Sequence, residues 1–303
     1  MAQLKKVSIG IDVGGTNTVF GFVDLEGNCL MDGHIATTDY AKFDDFLKAL
    51  SSEIEKVKKA IPQAVEVVGI GIGAPNGNYY AGTIEHAPNL QWKGVIPFIE
   101  LFKKYYNVPM ILTNDANAAA IGEMVYGAAK GMKNFIVVTL GTGLGSGIVV
   151  NGDLVYGADG FAGEMGHTFA GEVGSRKCGC GRFDCVETYA SATGIKRTAF
   201  ELMCTMNEPS QLRDHSFNQV TSKMIYDAAK DGDAIALAAF EKTGRILGAR
   251  LADAVAYFSP EAIFLFGGLA KSAEYLFKPT MFHLEKNLLN IFKYSNKLQL
   301  LPS

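Results

Sequence analysis

The amino-terminal part of the chain shows the alternation of apolar and polar positions that is typical of half-buried strands. Val7 to Val13 alternates in this way and is rich in β-branched residues. Gly14 and Gly15 interrupt the pattern, and Thr18 to Asp24 resumes it before a turn at Glu26-Gly27-Asn28. The pattern therefore predicts two strands joined by a glycine turn.

The same order of elements returns in the middle of the chain. Phe135 to Leu140 is an apolar strand, Gly141-Thr142-Gly143 is a glycine turn, and a second strand runs through Ile148 to Val150. Two copies of strand, glycine turn and strand indicate an internal duplication. Such a chain is expected to fold as two related α/β lobes with a cleft between them.

The remaining periodic segments alternate between helices and strands. Helical patterns cover Phe43 to Val57, Ala116 to Tyr126, Ser222 to Lys230 and Asp233 to Phe258, whereas strand patterns cover Val65 to Ile72, Val108 to Thr113 and Ala262 to Phe266. This alternation predicts an α/β architecture. We expect a small lobe over residues 1–113 and a larger lobe over residues 114–303, which meet at a hinge.

Composition narrows the class of protein. Of the 303 residues, 48% are hydrophobic, and the net charge of −3 argues against a dedicated nucleic-acid surface. The sequence contains no run of about 18 apolar residues that could span a membrane, and Met1 to Asp12 contains no apolar core of a signal peptide. We therefore expect a cytoplasmic protein with neither a membrane nor a nucleic-acid partner.

Chemistry-bearing residues concentrate between Gly163 and Glu187. His167, Cys178, Cys180 and Cys185 offer one imidazole and three thiolates, a donor set suited to tetrahedral zinc. The C-x-C pair is tighter than the usual C-x2-C ligand spacing, so three reduced cysteines and a surface histidine are the alternative. The chain has five cysteines, an odd number, which favours reduced thiols and a metal over a disulfide framework.

Both glycine turns offer backbone donors to a polyanion. In the segment Asp12 to Asn17, the missing side chains of Gly14 and Gly15 would let N–H groups approach phosphates closely, with the Thr16 hydroxyl as a further donor. The turn is neither a Walker A loop nor a dinucleotide fingerprint, and by itself it also fits a plain hairpin. The presence of a second turn, Gly141-Thr142-Gly143, favours the interpretation that both lobes bind a nucleoside triphosphate.

Asn114 and Asp115 stand where a predicted strand passes into a predicted helix. A carboxylate at such a point can accept the proton of a substrate hydroxyl and orient its oxygen for phosphoryl transfer. Aspartate is also a common helix N-cap. Spacing alone leaves these two roles of Asp115 open.

Together these motifs resemble those of the ROK family of sugar kinases and repressors. The cysteine segment is similar to the family signature, G-x-x-G-H followed by C-x-C-G-x-x-G-C-x-E, but Asp184 replaces a glycine, which takes a positive φ more readily. Asn114 to Glu123 follows the family pattern N-D-A-N-A-A-A-x-G-E, which favours Asp115 as a catalytic base. The resemblance extends from Ser8 to about Gly268. It implies the two-lobed, ribonuclease H-like α/β fold of the actin, hexokinase and Hsp70 superfamily.

The resemblance also implies ligands for each motif. ATP binds the glycine turns, Mg²⁺ lies near Asp12 through water, and a structural Zn²⁺ without an open position binds one ring nitrogen of His167 while the other contacts the sugar. The expected nucleotide contacts are Asp12, Gly14, Gly15, Thr16, Asn17, Gly141, Thr142, Gly143, Gly267 and Gly268, the last pair beginning the segment near the nucleoside. The expected sugar contacts are Asn89, Asn114, Asp115, Glu164, His167 and Glu187.

The expected activity is transfer of the γ-phosphoryl group of ATP to the 6-hydroxyl of a hexose, with lobe closure excluding water. Glucose is the first candidate, and N-acetylmannosamine, N-acetylglucosamine, allose and fructose stay open. Family repressors carry a helix-turn-helix domain before the first turn, so a turn at Asp12 favours a kinase over a non-catalytic sugar sensor that lacks its DNA-binding domain. Relatives generally continue past the position of Ser303 into a final helix, which suggests a shortened chain. By similarity we expect a homodimer or homotetramer.

Overall fold

A computed structural model describes residues 4–174, 176–293 and 298–303, and over these residues the protein is a mixed α/β structure. The strands are β1 (Lys5–Val13), β2 (Asn17–Asp24), β3 (Cys29–Ala36), β4 (Val65–Gly73), β5 (Gly77–Asn78), β6 (Thr83–Glu85), β7 (Val95–Ile96), β8 (Met110–Thr113), β9 (Phe135–Leu140), β10 (Leu144–Val150), β11 (Asp153–Leu154), β12 (Ala262–Phe266) and β13 (Gln299–Pro302). The helices are α1 (Phe43–Ala60), α2 (Phe98–Phe102), α3 (Asp115–Val125), α4 (Ala192–Thr205), α5 (Ser222–Lys230), α6 (Ala234–Phe258), α7 (Glu274–Asn287) and α8 (Asn290–Lys293). None of the described helices is long and apolar enough to span a membrane.

The chain divides into two compact units. The first comprises Met1–Ala118 and Tyr156–Ala162, and the second comprises Ala119–Val155 and Gly163–Ser303. The division thus falls within α3, five residues beyond the end of the lobe expected over residues 1–113. Segment Tyr156–Ala162 contacts the rest of the first unit, where Asn78 Nδ2 donates a 3.0 Å hydrogen bond to the carbonyl oxygen of Asp159 and Tyr79 stacks on Tyr156.

Each unit is built on a five-stranded sheet of the same topology. The strand order is β3-β2-β1-β4-β8 in the first unit and β11-β10-β9-β12-β13 in the second. In both sheets the first three strands pair antiparallel and the last two extend the sheet in parallel. The repeated order is the arrangement that an internal duplication produces. A small sheet of order β5-β6-β7 adds to the first unit.

The burial of the central strands explains their sequence patterns. In β1, Val7, Ile9, Ile11 and Val13 are buried and the residues between them are largely exposed, so the alternation places Asp12 on the opposite face at the end of the strand. In β9, by contrast, both faces are covered. Successive residues from Phe135 to Val138 pack alternately into two apolar clusters, which is why this strand is a continuous apolar run.

Helix α1 covers the first sheet with a stripe of apolar side chains. Phe46, Leu47, Leu50 and Ile54 recur at helical spacing and are at most 1% exposed. Burying a side chain of this size stabilises the fold by about 1.5–3 kcal/mol. The helix packs against β3 and thereby supports the hairpin that begins at the first glycine turn.

Candidate active site and metal centre

The first glycine turn joins β1 to β2 and leaves no room for side chains. The N–H of Gly14 donates to the carbonyl oxygen of Asn17 at 3.0 Å, and a Cβ on Gly14 would lie 2.6 Å from that oxygen. A Cβ on Gly15 would lie 2.6 Å from the carbonyl oxygen of Asn89. The turn and the Asn89 loop, two predicted site segments far apart in sequence, are therefore in direct backbone contact. Thr16 and Asn89 are both exposed.

Asn114, and not Asp115, caps helix α3. The Oδ1 atom of Asn114 accepts a 2.6 Å hydrogen bond from the N–H of Asn117, three residues on, and Asn114 is 8% exposed. Asp115 is the first helical residue, where its Oδ1 accepts from the N–H of Ala116 at 2.9 Å and its side chain is exposed. A neighbour thus performs the capping role that the sequence left open for Asp115.

Asp12 lies near Asp115 in the first unit, and its acidity is perturbed. Partial burial of the Asp12 carboxylate and the negative charge of Asp115 raise the pKa of Asp12 above its usual value. Both effects disfavour the ionised form. A cation beside Asp12 would oppose both effects, because it favours the charged carboxylate.

The second glycine turn joins β9 to β10 and contacts a predicted sugar residue. The N–H of Gly141 donates to the carbonyl oxygen of Gly143 at 3.1 Å, and a Cβ on Gly143 would lie 2.5 Å from Oε2 of Glu187. Gly267 follows β12 at φ +104°, and its missing side chain admits the carbonyl oxygen of Leu140 at the end of β9. The second turn, Glu187 and the Gly267 segment therefore meet at one end of the second sheet.

The four predicted metal ligands converge in the second unit. One donor atom from each of His167, Cys178, Cys180 and Cys185 lies within 4.8 Å of the other three. The Sγ atoms of Cys180 and Cys185 are 3.7 Å apart, and Cys178 Sγ is 3.6 Å from His167 Nδ1. A tetrahedral zinc with Zn–S bonds of about 2.3 Å holds its sulfurs about 3.8 Å apart, so the donor set fits this metal in kind and in spacing.

The two ring nitrogens of His167 have different surroundings. Its Nδ1 atom faces Cys178 and lies 3.8 Å from Glu187 Oε1, whereas Nε2 lies 3.9 Å from Glu164 Oε2. Glu187 Oε1 in turn is 2.9 Å from Cys178 Sγ, and burial together with this hydrogen bond raises the pKa of the Cys178 thiol. His167 can thus offer Nδ1 to a metal while Nε2 stays beside an exposed carboxylate.

The predicted site residues divide between the two units. The first unit contains Asp12, Gly14, Gly15, Thr16, Asn17, Asn89, Asn114 and Asp115, and the second contains Gly141, Thr142, Gly143, Glu164, His167, Cys178, Cys180, Cys185, Glu187, Gly267 and Gly268. Sequence reasoning noticed Asp184 only as a departure from the family and passed over Arg176. In the structure Asp184 takes a φ of +55°, the left-handed conformation that a glycine supplies. A charged residue at a glycine position was the signal that could have drawn attention to this loop.

Comparisons with known proteins identify the family to which the chain is similar. A sequence model of the ROK family matches residues 8–302. Glucokinase of Halalkalibacterium halodurans is 37% identical over 289 residues, which cover 91% of this chain and 84% of that protein. A xylose repressor of Caldicellulosiruptor bescii is 31% identical over 85% of this chain and 64% of its own length. The crystal structure of a ROK family glucokinase from Streptomyces griseus, in complex with glucose and AMPPNP, is 32% identical with a TM-score of 0.81 and covers 98% of this chain and 94% of that one.

The fold is therefore that of the two-lobed α/β sugar kinases of the actin, hexokinase and Hsp70 superfamily. Within that class, the chain belongs to the ROK family.

Proposed function

We propose that this protein transfers the γ-phosphoryl group of ATP to the 6-hydroxyl of glucose, with Asp115 as the general base. Membership of the ROK family and the glucokinase relatives support an ATP-dependent sugar kinase. The observation that carries the assignment of the base is the exposed carboxylate at the start of α3, where Asn114 performs the capping. A carboxylate in that position remains available to a substrate hydroxyl.

In the proposed reaction the sugar oxygen forms a bond to the γ-phosphorus. The bond from that phosphorus to the bridging oxygen breaks, and ADP leaves with the electron pair. Asp115 accepts the hydroxyl proton at its carboxylate and then releases it to solvent. A positioned base of this kind typically increases the rate about 10²–10⁴-fold.

The glycine turns would hold the nucleotide. Backbone N–H groups around Gly14 and Gly15, and around Gly141 and Gly143, are proposed to bind its phosphates, with Gly267-Gly268 beside the nucleoside. Asp12 would hold Mg²⁺, mostly through water. When bound, the ion neutralises charge on the β- and γ-phosphates.

Carboxylates and amides would hold the sugar. Glu164, Glu187 and Asn89 offer planar groups that can each bond two neighbouring hydroxyls, and His167 adds its Nε2 atom. Asn114 and Asp115 complete the proposed set. The three cysteines and His167 Nδ1 would hold a structural zinc, which fixes the orientation of the imidazole ring.

Glucose is one choice among several sugars that such a set can bind. N-acetylmannosamine, N-acetylglucosamine, allose and fructose are the alternatives for the same residues. The xylose-repressor relative favours a second class of function, a sugar sensor without turnover. The proximity of Asp12, the proposed magnesium residue, to Asp115 supports the kinase, because sugar binding alone needs no second carboxylate for Mg²⁺. A cytoplasmic location and a homo-oligomeric state accompany this proposal by family similarity.

ADP release across a panel of these five sugars tests the proposal. We expect the highest kcat/KM with glucose, and a fall in kcat of about 10²–10⁴ in Asp115→Ala. Asp44→Ala is the matched control, since Asp44 is also an exposed aspartate in the first turn of a helix. Full turnover in Asp115→Ala would remove Asp115 from its role. Sugar binding with no turnover on any sugar would favour the sensor.

A further inference from the structure

Arg176 is a buried cation in the loop that precedes the first metal-site cysteine. The residue is 6% exposed, and its guanidinium makes five hydrogen bonds. Nε and Nη2 donate to the two carboxylate oxygens of Glu201 at 2.7 and 2.5 Å, and Nη2 also donates to Thr198 Oγ1 at 3.0 Å. Nη1 donates to the carbonyl oxygens of Thr188 at 2.6 Å and Gly194 at 3.3 Å. Every N–H group of this side chain is therefore satisfied.

Asp184 completes the arrangement from the other side of the loop. Its Oδ1 atom accepts from the N–H of Arg176 at 2.8 Å and from the hydroxyl of Tyr189 at 2.7 Å. The Tyr189 ring lies beneath the guanidinium, 4.0 Å from its central carbon. We call Arg176, Asp184, Tyr189 and Glu201 the arginine clamp.

The arginine clamp makes hydrogen bonds to the chain on both sides of Glu187. Thr188, whose carbonyl oxygen accepts from Arg176, is the next residue in the same 3-10 helix, Val186–Thr188. Asp184 lies three residues before Glu187 and is tied to Arg176 through backbone and side chain. Glu201 anchors the clamp to α4. The planar fork of an arginine suits such a multiple contact, and a lysine could not reproduce it.

We propose that Arg176 and Asp184 are positioning residues that hold the Glu187 carboxylate in place for the sugar hydroxyls. The inference rests on the proposed function, because it assumes that Glu187 contacts the sugar. Asp184 replaces the family's glycine at a positive φ, and its Oδ1 atom accepts two hydrogen bonds that a glycine could not accept. The Glu187 carboxylate also lies beside Gly143 of the second glycine turn, so the clamp is expected to change ATP binding less than it changes sugar binding.

Steady-state kinetics on two series of variants test the clamp. Arg176→Met is expected to raise the KM for the sugar about tenfold while the KM for ATP stays within twofold. Arg176→Lys is expected to raise the sugar KM almost as much. Arg213→Met is the matched control, since Arg213 is an exposed arginine of the same unit that also donates to backbone carbonyls. If Arg176→Met does not fold, Glu201→Gln, at the more exposed end of the clamp, is expected to raise the sugar KM several-fold with the same split.

The second series separates backbone conformation from hydrogen bonding at residue 184. Asparagine tolerates a positive φ and keeps the Oδ1 acceptor, so Asp184→Asn is expected to stay within twofold of the unmodified enzyme. Asp184→Gly suits the backbone but loses both hydrogen bonds, and it is expected to raise the sugar KM several-fold. Unchanged sugar KM values in Arg176→Met and Asp184→Gly, or equal rises for sugar and ATP, would overturn the inference. Absence of turnover in the unmodified protein would instead overturn the proposed function on which the inference rests.

Discussion

Partial burial and the nearby negative charge of Asp115 together raise the pKa of Asp12, so these two residues form an electrostatically strained pair within the first unit. Burial of the Asp12 carboxyl and the charge of Asp115 both disfavour the ionised form of Asp12. Mg²⁺ bound with a nucleotide would bring positive charge to this point. The strain is therefore what a cation site is expected to show before its ligand arrives.

Replacing Asp12 is expected to separate stability from activity. A carboxyl group whose pKa is raised in the folded protein contributes stability at low pH, and this contribution is lost as the pH rises through the raised pKa. Asp12→Asn should therefore raise the melting temperature at pH 7, by an amount that shrinks toward pH 4. Turnover should fall about 100-fold or more, since the proposed magnesium contact is lost. Thermal melts at both pH values check this, and a lower melting temperature at pH 7 would contradict the sign.

The capping assignment predicts different effects on stability for two neighbouring residues. Asn114→Ala removes the N-cap of α3 and is expected to cost about 1 kcal/mol of unfolding free energy. Asp115→Ala should leave stability nearly unchanged while it abolishes most of the turnover. Denaturant unfolding and ADP release on both variants measure this. A larger stability loss in Asp115→Ala than in Asn114→Ala would mean that Asp115 is a structural residue.

Metal analysis is expected to find about one zinc per chain. Cys180→Ala should lose the metal and raise the sugar KM about 10–100-fold, because His167 is then no longer held in orientation. Cys204→Ala, at an exposed cysteine of α4 outside the cluster, should keep both the metal and the KM. Equal zinc content in Cys180→Ala and Cys204→Ala would contradict the zinc site. Absence of zinc from the unmodified protein would also contradict it, and the cysteines would then be reduced thiols.

Gly15 is expected to tolerate no side chain. The Cβ of Gly15→Ala would approach the Asn89 carbonyl oxygen to 2.6 Å, so the turn and the Asn89 loop must move apart. We expect a loss of about 1–3 kcal/mol in stability and higher KM values for both ATP and the sugar. Gly122→Ala is the control, because a Cβ there meets nothing within 4 Å and alanine favours the helix. Equal behaviour of the two variants would show that the close approach is not required.

Local patterns were sufficient for most of the elements near the site. The sequence predicted β9 and β12 to the residue and α6 to within one, because a strand buried on both faces or a long amphipathic helix carries its pattern in its own residues. The Cys3His set was likewise visible from residue types and spacing. The division of the chain into two units could not be read from local patterns. Segment Tyr156–Ala162 belongs to the first unit, which it contacts through Asn78, about eighty positions away in the sequence.

What the sequence determined by itself was chemistry and periodicity: which side chains can bind phosphate, sugar or metal, and which segments form strands and helices. Tertiary structure alone decided which of two adjacent residues caps α3, that Gly15 abuts the Asn89 loop, and that Asp184 accepts hydrogen bonds from Arg176 and Tyr189. The physical reason is that capping geometry, close backbone approach and buried hydrogen bonds depend on positions in space. Residues distant in the chain set those positions, and no local pattern records them.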